Sequence, residues 1–282
     1  MSPTSTGRWS AAGLWLRWSW RDLKARWVQV AAIALVIALG TGSYAGLSSV
    51  TKWRRASTDA GYSQLRMHDL RVEVAAGSEV EAGRPIAVAS SLGGGGAVER
   101  AEERLVLPIQ VDASNGEEVI LVPGNLVGVP VGEGLPGVDG LHANPGRGLD
   151  AGDAGQPIAV LERHFGKHYG LPAAGMIAIS GGQQLQYVGQ AVTPEYFLVT
   201  TERGGLMAEA NFAVVFVSIE TAQQLMGRTG EVNDLVLTLR PGADRAALET
   251  ELAALMAEAL PGVGVTVTTR EGKKELPLDP RA

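Results

Sequence analysis

A long stretch without a single charged residue dominates the first part of the chain. It extends from Val28 to Thr51, and its 24 residues exceed the roughly 20 that a helix needs to cross about 30 Å of hydrocarbon. A helix on the surface of a soluble protein has a polar face, and this stretch has none. The pattern therefore predicts a membrane-spanning helix over residues 28–51.

Two other interpretations fit an apolar stretch in this position. A cleaved signal peptide also carries an apolar core near the N terminus, followed by small residues. The buried core helix of a soluble protein is the second alternative. The 27 residues ahead of the stretch and the basic cluster directly after it favour a retained membrane helix.

Tryptophans and basic residues flank the stretch on both sides, as at the two interfaces of a bilayer. Leu14–Trp27 is predicted to form an amphipathic helix whose cations contact lipid headgroups while its indoles enter the interface. A plain basic flank is compatible with the same residues. We assign as membrane-interface anchors Trp15, Trp18, Arg21, Lys24, Arg26, Trp27, Lys52, Trp53, Arg54 and Arg55.

Small residues recur at every fourth position within the predicted membrane helix. Ala38, Gly42 and Gly46 would share one face, and a face of small residues lets a second helix approach closely. Because Ala and Gly are abundant in this chain, composition alone also explains the spacing. We assign the three residues as a candidate helix-packing face.

Beyond residue 51 the pattern predicts a helix that continues out of the membrane, followed by short alternating segments typical of strands. A strand–helix–strand unit is predicted at each end of the soluble part. The predicted elements are a stalk helix over 52–65, strand Leu70–Val74, helix Pro85–Leu92 and strand Arg104–Val111, then strand Leu235–Leu239, helix Asp244–Leu260 and strand Val263–Thr269.

The region between these units is rich in glycine and in short apolar segments. Ser218 is the predicted N-cap of a short helix and Gly227 its predicted end. The other predicted elements are strands Val119–Val122, Leu126–Val131 and Phe212–Val217, a hairpin of Met176–Ser180 and Gln184–Val192 turned by Gly181 and Gly182, a helix Pro157–His168, and a loop over 133–155.

This order of elements predicts an α+β fold in which one subdomain is split by an insertion. It requires Leu70–Val74 and Leu235–Leu239 to lie in one sheet. The expected organisation is a basic amphipathic segment over 1–27, a single transmembrane helix over 28–51, a stalk over 52–65, a split α+β subdomain over 66–111 and 232–270, a β-rich insertion over 112–231, and a polar tail over 271–282.

Charge divides the chain into two unlike parts. Residues 1–71 carry ten Lys or Arg against three Asp or Glu, a net charge of +7, and residues 72–282 carry fourteen against twenty-seven, a net charge of −13. The acidity of the soluble part argues against nucleic acid as a partner. The absence of cysteine excludes disulfides and thiol chemistry.

Glycine-rich runs give no nucleotide-binding motif. The GEGLPG run at 132–137 has the spacing of a dinucleotide loop but lacks its strand-to-helix context. The four glycines at 93–96 lack the Lys-Ser/Thr of a phosphate loop. We therefore assign no cofactor-binding residue.

The histidines give no catalytic or metal site. His164 and His168 lie four positions apart near Glu162 and could share a metal, but solvated helix histidines are far more common. His68 and His142 have no partner visible in the sequence. With no nucleophile–base arrangement and no distinctive carboxylate pair, we assign no catalytic or metal-binding residue and expect that the chain is not an enzyme.

Resemblance to a known family begins at residue 20. FtsX-like and MacB-like ABC transporter permeases open with a segment similar to WRDLKARWVQVAAIALVIALGTGSYAGLSSVTKWRRASTDAGYSQLRMHD, residues 20–69. Ile158–Phe197 and Val232–Arg270 resemble parts of the extracytoplasmic core domain of this family. The resemblance covers nearly the whole chain from residue 20 and rests on diffuse patterns, without fixed catalytic letters.

The resemblance implies a permease subunit, or the N-terminal portion of one, in the cytoplasmic membrane with its acidic domain outside. Its implied partners are an ABC ATPase subunit, the remaining permease helices of the same or a second chain, the lipid bilayer and an envelope protein. ATP hydrolysis by the partner would move the membrane helix, and the helix would move the outer domain for export or envelope signalling.

Family members carry further membrane helices after the core domain. By this resemblance the chain is expected to be the N-terminal portion of such a permease, whether truncated, split or fragmentary. Basic residues are nearly balanced on the two sides of the helix, so charge does not set its orientation. The alternative function is a single-span membrane-anchored binding or scaffold domain that acts without ATP.

Overall fold

The computed structural model describes residues 8–114, 119–132, 136–196 and 212–270. The chain divides into two compact units, residues 1–60 and 61–282. The predicted polar tail over 271–282 lies outside the described residues. The architecture is α+β, with a helical N-terminal part and a large sheet-rich domain, as the sequence predicts.

Helix accounts for the described part of the first unit. α1 extends over Arg8–Ala25 and α2 over Trp27–Gln64, with Arg26 between them. The helix predicted over residues 28–51 is confirmed. It continues without interruption to Gln64, so its last residues, 61–64, belong to the second unit.

One helical span among the described residues, Trp27–Val50, is long and apolar enough to cross a membrane, with a mean hydropathy of 1.9. None of it is buried, unlike the core helix of a soluble protein. Two of its hydroxyl groups are bonded within the helix: Thr41 Oγ1 donates to the Ile37 carbonyl at 2.7 Å, and Ser49 Oγ donates to the Ala45 carbonyl at 2.7 Å. These bonds satisfy the Thr41 and Ser49 hydroxyl donors inside an apolar helix.

Twelve strands are described in the second unit. They are β1 Leu70–Val74, β2 Val80–Glu81, β3 Val98–Asp112, β4 Leu121–Val129, β5 His142–Gly146, β6 Ile158–Glu162, β7 Gly175–Ile179, β8 Gln183–Val192, β9 Ala213–Ser218, β10 Glu231–Val232, β11 Asp234–Leu239 and β12 Val265–Thr269. Ten of them form one mixed sheet in the order β12-β1-β11-β3-β4-β9-β6-β8-β5, with β7 paired to β3 and β8. β2 and β10 pair separately.

Short helices connect or cover these strands. They are α3 Arg84–Ala89, the single turn α4 Leu92–Gly95, α5 Arg163–His168, α6 Ile219–Met226 and α7 Arg245–Ala259, together with 3-10 turns at Ala151–Asp153, Ser180–Gly182 and Pro194–Tyr196.

β3 is a 15-residue strand that joins two regions of the large sheet. Its first half pairs antiparallel with β11 and its second half antiparallel with β4, so Arg104 is opposite Asp234 and the next residue, Leu105, is opposite Gly128. β1 pairs directly with β11, with Leu70 opposite Leu237. The prediction that the first and last strand units share a sheet is confirmed, whereas the proposed subdomain boundaries stay a prediction.

Three apolar cores stabilise the unit. One lies among β1, β11, α3 and α7. The other two lie on opposite faces of the sheet around β4, β6 and β9. Leu126 belongs to one face and its neighbour Val127 to the other, because successive strand residues point in opposite directions.

Several local predictions are confirmed by hydrogen bonds and dihedral angles. Ser218 caps α6 by accepting from the Thr221 amide at 3.1 Å, and Gly227 ends α6 in a left-handed conformation. The helix predicted over Asp244–Leu260 is α7, and the structure adds that Asp244 caps it by accepting from the amides of Ala246 and Ala247. The predicted hairpin is formed by β7 and β8.

The prediction of a helix over Pro157–His168 is wrong in its first half. Ile158–Glu162 is β6, which pairs parallel with β8 and antiparallel with β9, and α5 begins only at Arg163. Pairing on both sides and burial of this segment outweigh its local helical pattern. Glu162 then caps α5 by accepting from the Phe165 amide at 3.1 Å.

Two predictions in the middle of the chain are also wrong. The strands expected at Val119–Val122 and Leu126–Val131 are one strand, β4, which includes Gly124. A side chain at Gly124 would overlap the carbonyl oxygen of Ala213 on β9, so this glycine permits close strand approach and does not end a strand. The loop expected over 133–155 contains β5, which pairs with β8.

Candidate functional site

The predicted interface anchors are exposed where their side chains are described. Trp15, Trp18, Trp27 and Trp53 are between 66 and 72% exposed. The Nζ of Lys24 lies 5.8 Å from the ring centroid of Trp20, a cation–π contact. Arg21 and Arg26 are exposed too, while the side chains of Lys52, Arg54 and Arg55 lie outside the part that the structure describes.

The candidate packing face on α2 is open. Ala38, Gly42 and Gly46 are exposed, and a side chain added at either glycine would meet no atom of the described residues within 4 Å. The structure of this chain therefore leaves room for another helix on this face. The assignment of these residues to helix packing stays a prediction.

A buried cluster of ionisable side chains lies near the start of the second unit. We call it the junction cluster, and its members are His68, Arg71, Arg104, Asp139, Glu195 and Asp234, each at most 9% exposed. The members come from distant parts of the chain, and strands β1, β3 and β11 supply one residue each. Charged groups as buried as these require partners, and the structure provides them.

Two carboxylates bridge the two guanidinium groups. Asp234 accepts from Arg71 Nε at 2.5 Å with one oxygen and from Arg104 Nε at 2.6 Å with the other. Glu195, on the 3-10 turn after β8, accepts from Arg71 Nη1 at 2.6 Å and from Arg104 Nη1 at 2.8 Å. The result is a closed ring of four charges that joins two neighbouring regions of the sheet.

Asp139 connects this ring to the segment that follows α2. Its carboxylate lies 2.7 Å from His68 Nδ1, accepts from the His68 amide at 3.0 Å, and lies 3.4 Å from Arg104 Nη1. The backbone of the same region adds two bonds, from the Asp139 amide to the Arg66 carbonyl at 3.0 Å and from the Gly140 amide to the Leu65 carbonyl at 2.7 Å.

The electrostatics of the cluster favour its charged form. Burial alone would lower the pKa of Arg104, yet the carboxylates of Asp234 and Glu195 outweigh burial and raise that pKa above its ordinary value. The same two carboxylates outweigh burial at Arg71 and raise its pKa as well. Burial alone would raise the pKa of Asp234, but Arg104 and Arg71 outweigh it and lower that pKa. Burial also raises the pKa of Tyr196, which adjoins Glu195.

This arrangement is suited to holding structure together. Its carboxylates face guanidinium or imidazole groups of the protein, and Arg104 Nη2 is a buried nitrogen for which the described residues provide no partner. Among the described residues, no group of three or more His, Asp or Glu side chains could hold a metal ion. His164 Nδ1 instead lies 2.6 Å from Glu162, and the ring of His168 contacts that of Tyr169 edge-on at 4.8 Å.

Sequence reasoning did not find the junction cluster. Its one visible signal was the presence of opposite charges in or beside apolar strand segments, at Arg71, Arg104 and Asp234. Which of them meet depends on strand register, since Arg71 and Asp234 are 163 positions apart.

Comparison with known proteins supports the fold assignment. No protein-family model and no curated protein matches the sequence. Among solved structures, the chain is similar to the periplasmic region of MacB from Actinobacillus actinomycetemcomitans, with a TM-score of 0.50 and 11% identity over 77% of this chain and 96% of that one. A second similar structure is the extracellular domain of the noncanonic ABC-type transporter YknZ from Gram-positive bacteria, with a TM-score of 0.45 and 14% identity over 71% and 100%.

The similarity to the MacB periplasmic region concerns the fold. At this low identity it confirms the predicted α+β fold, which is similar to that of the MacB periplasmic region. It is consistent with the resemblance of the sequence to FtsX-like and MacB-like permeases.

Proposed function

We propose that this chain is a permease subunit, or the N-terminal portion of one, of an ABC transporter of the FtsX/MacB-like type. One observation carries the proposal: an apolar helix long enough to cross a membrane leads directly into a domain with the fold of the MacB periplasmic region. The exposed indoles at both ends of that helix support its placement in a bilayer.

The proposed location is the cytoplasmic membrane, with α1 at the inner interface and the second unit outside the cell or in the periplasm. The acidic, tryptophan-free composition of residues 72–282 suits a domain that stays in water. The basic residues of α1 suit contact with anionic headgroups of the inner leaflet.

The proposed mechanism is mechanical. A partner ABC ATPase hydrolyses ATP and moves the permease helices, α2 transmits the movement, and the outer domain moves to export substrate or to signal to an envelope protein. The chain itself performs no catalysis in this scheme. The chemistry of the junction cluster supports that view, because its carboxylates are buried against the guanidinium groups of Arg71 and Arg104.

Membrane topology is tested with single cysteines, since the chain has none of its own. Ser19→Cys lies on α1 and Gln186→Cys on β8, and both positions are exposed. A maleimide that does not cross membranes should label Gln186→Cys in intact cells, or in spheroplasts of a Gram-negative host, and should label Ser19→Cys only after lysis. Labelling of Ser19→Cys alone before lysis would contradict the proposed orientation.

ATPase coupling is tested by crosslinking in native membranes followed by purification of the full chain. An ABC ATPase subunit and further permease helices should be recovered with it. The variant Gly42→Leu/Gly46→Leu fills the open face of α2 and should reduce that recovery without reducing membrane insertion, while Ile37→Phe serves as the matched bulky control. Recovery of the chain without any ATPase would instead support a single-span anchored scaffold that acts without ATP.

A further inference from the structure

The junction cluster connects three separate parts of the second unit. His68 belongs to the segment that follows the last turn of α2. Arg71, Arg104 and Asp234 lie on the paired strands β1, β3 and β11. Asp139 follows β4 and Glu195 follows β8, in the region between β4 and β9. Each part therefore contributes at least one buried side chain to the cluster.

We propose that the junction cluster is a rigid joint that fixes the segment in which α2 ends, residues 61–69, to both regions of the large sheet. A displacement of this segment is then passed on to the whole domain. The inference rests on the proposed function, because such a joint matters only where α2 moves. Its residues are positioning residues and take no part in catalysis.

The first argument is the way in which the segment after α2 is held. Leu65 and Met67 are each 7% exposed, and the carbonyls of Leu65 and Arg66 accept from the Gly140 and Asp139 amides. Asp139 returns two contacts to His68, one to the backbone amide and one to the ring. The segment is therefore fixed by apolar burial, by backbone bonds and by a buried carboxylate together.

Backbone conformation gives a second, independent argument. Arg66 has a φ of 53° and Asp139 a φ of 50°, in the left-handed region that non-glycine residues rarely occupy. These two residues are bonded to each other through the Asp139 amide and the Arg66 carbonyl. Strained conformations of this kind persist only where the surrounding contacts determine them.

The third argument concerns β3, which crosses between the two sheet regions next to the cluster. Asn233 binds both backbone groups of Val106 on β3, donating from Nδ2 at 2.7 Å and accepting at Oδ1 at 2.8 Å. Two residues earlier on β3, Arg104 bonds to Asp234 and Glu195. If one of these sheet regions moved against the other, buried opposite charges would be pulled apart where no water can solvate them. Such a separation is strongly unfavourable.

The joint is tested by hydrogen exchange on the full chain in lipid nanodiscs. Asp139→Asn removes the charge while keeping a residue that tolerates a positive φ. We expect amide exchange over residues 65–69 to become about 10- to 100-fold faster, because hydrogen bonds to a charged acceptor are lost. The matched control is Asp153→Asn, which removes another buried carboxylate held by two nitrogens of Arg147 but distant in sequence from the segment.

A second variant and a distance measurement keep the test decisive if Asp139→Asn fails to fold. Glu195→Gln retains the shape of the side chain and removes the charge that Arg71 and Arg104 share. Spin labels at cysteines replacing Gln64 and Gln186 should give a narrow distance distribution in the parent chain and a broader one in Glu195→Gln. Asp153→Asn should leave the distribution unchanged.

Two results would overturn the joint. One is unchanged exchange over residues 65–69 in both cluster variants. The other is faster exchange by the same factor throughout the domain, including α7, which would indicate general destabilisation. Neither measurement requires an ATPase or transport, so the joint and the proposed function can fail separately.

Discussion

Replacement of Asp234 by asparagine gives a quantitative test of the junction cluster. The two oxygens of Asp234 each accept from a different guanidinium Nε, at 2.5 and 2.6 Å, in an interior where the residue is 3% exposed. An asparagine presents one acceptor and one amide donor, so one guanidinium would face a donor and the cluster would lose a negative charge. Removing one partner from a buried ion pair costs about 3–5 kcal/mol.

The expected loss is large enough to measure directly. With a urea dependence of about 2–3 kcal/mol per molar for a domain of this size, the unfolding midpoint should fall by about 1–2.5 M. Pulse proteolysis of the full chain in micelles is the suitable assay, because all six tryptophans lie at or before position 53 and fluorescence would not report on the domain. Glu258→Gln, an exposed charge on α7, should change stability by less than about 0.5 kcal/mol.

A double variant that keeps the charges balanced distinguishes a stability loss caused by an unpaired charge from one caused by poorer packing. Arg104→Met/Asp234→Asn removes one guanidinium together with one carboxylate and leaves Arg71 paired with Glu195. It should therefore be destabilised less than the sum of its two single variants. A loss below about 1 kcal/mol for Asp234→Asn alone, or strictly additive losses, would refute the view that these charges depend on one another.

Acid should weaken the domain through the same residue. The pKa of Asp234 is lower in the folded than in the unfolded chain, because the guanidiniums of Arg104 and Arg71 outweigh the effect of burial. Its contribution to stability is therefore complete above its unfolded pKa of about 3.9 and is lost as pH falls through the folded pKa. Asp234→Asn should show a flatter decline in stability below about pH 4 than the parent chain.

Further predictions concern the membrane helix, a strand contact and a helix cap. Leu35→Arg should impair membrane insertion, since an arginine at a helix centre costs about 2.5–3.5 kcal/mol, and alkaline extraction of membranes would reveal it; unchanged retention would contradict a spanning helix. Gly124→Ala should destabilise the domain by about 1–3 kcal/mol in urea titrations, because the added methyl overlaps the Ala213 carbonyl. Gly40→Ala, which meets no atom of the described residues within 4 Å, should be neutral. Ser218→Ala should cost about 0.5–2 kcal/mol in the same titration, and full recovery by Ser218→Asp would show that the cap is responsible.

Much of the secondary structure could be predicted from the sequence because its causes are local. A charge-free stretch of 24 residues forms a helix in any apolar surrounding, and α2 includes all of it. Ser218 and Asp244 start helices by binding amides two or three residues ahead, and Gly227 ends one through its left-handed backbone. Such features depend on neighbours in the sequence, so the sequence displays them.

The errors occur where pairing between distant segments decides the structure. Ile158–Glu162 has a pattern compatible with a helix, and it becomes a strand because β8 and β9 pair with it on both sides. Gly124 has the appearance of a strand breaker, and it lies within β4 because β9 approaches too closely for a side chain. In both cases the partner strand lies far along the chain, where local pattern gives no signal.

The junction cluster shows the same division most clearly. The sequence by itself determined that Arg71, Arg104 and Asp234 lie in or beside strand segments, since short-range alternation predicts β1, β3 and β11. Only the tertiary structure decided that they meet, because the antiparallel register places Asp234 opposite Arg104 and within reach of Arg71, 163 positions away. Electrostatic attraction acts through space and not along the chain, so a buried charge finds its partner only when the sheet has formed.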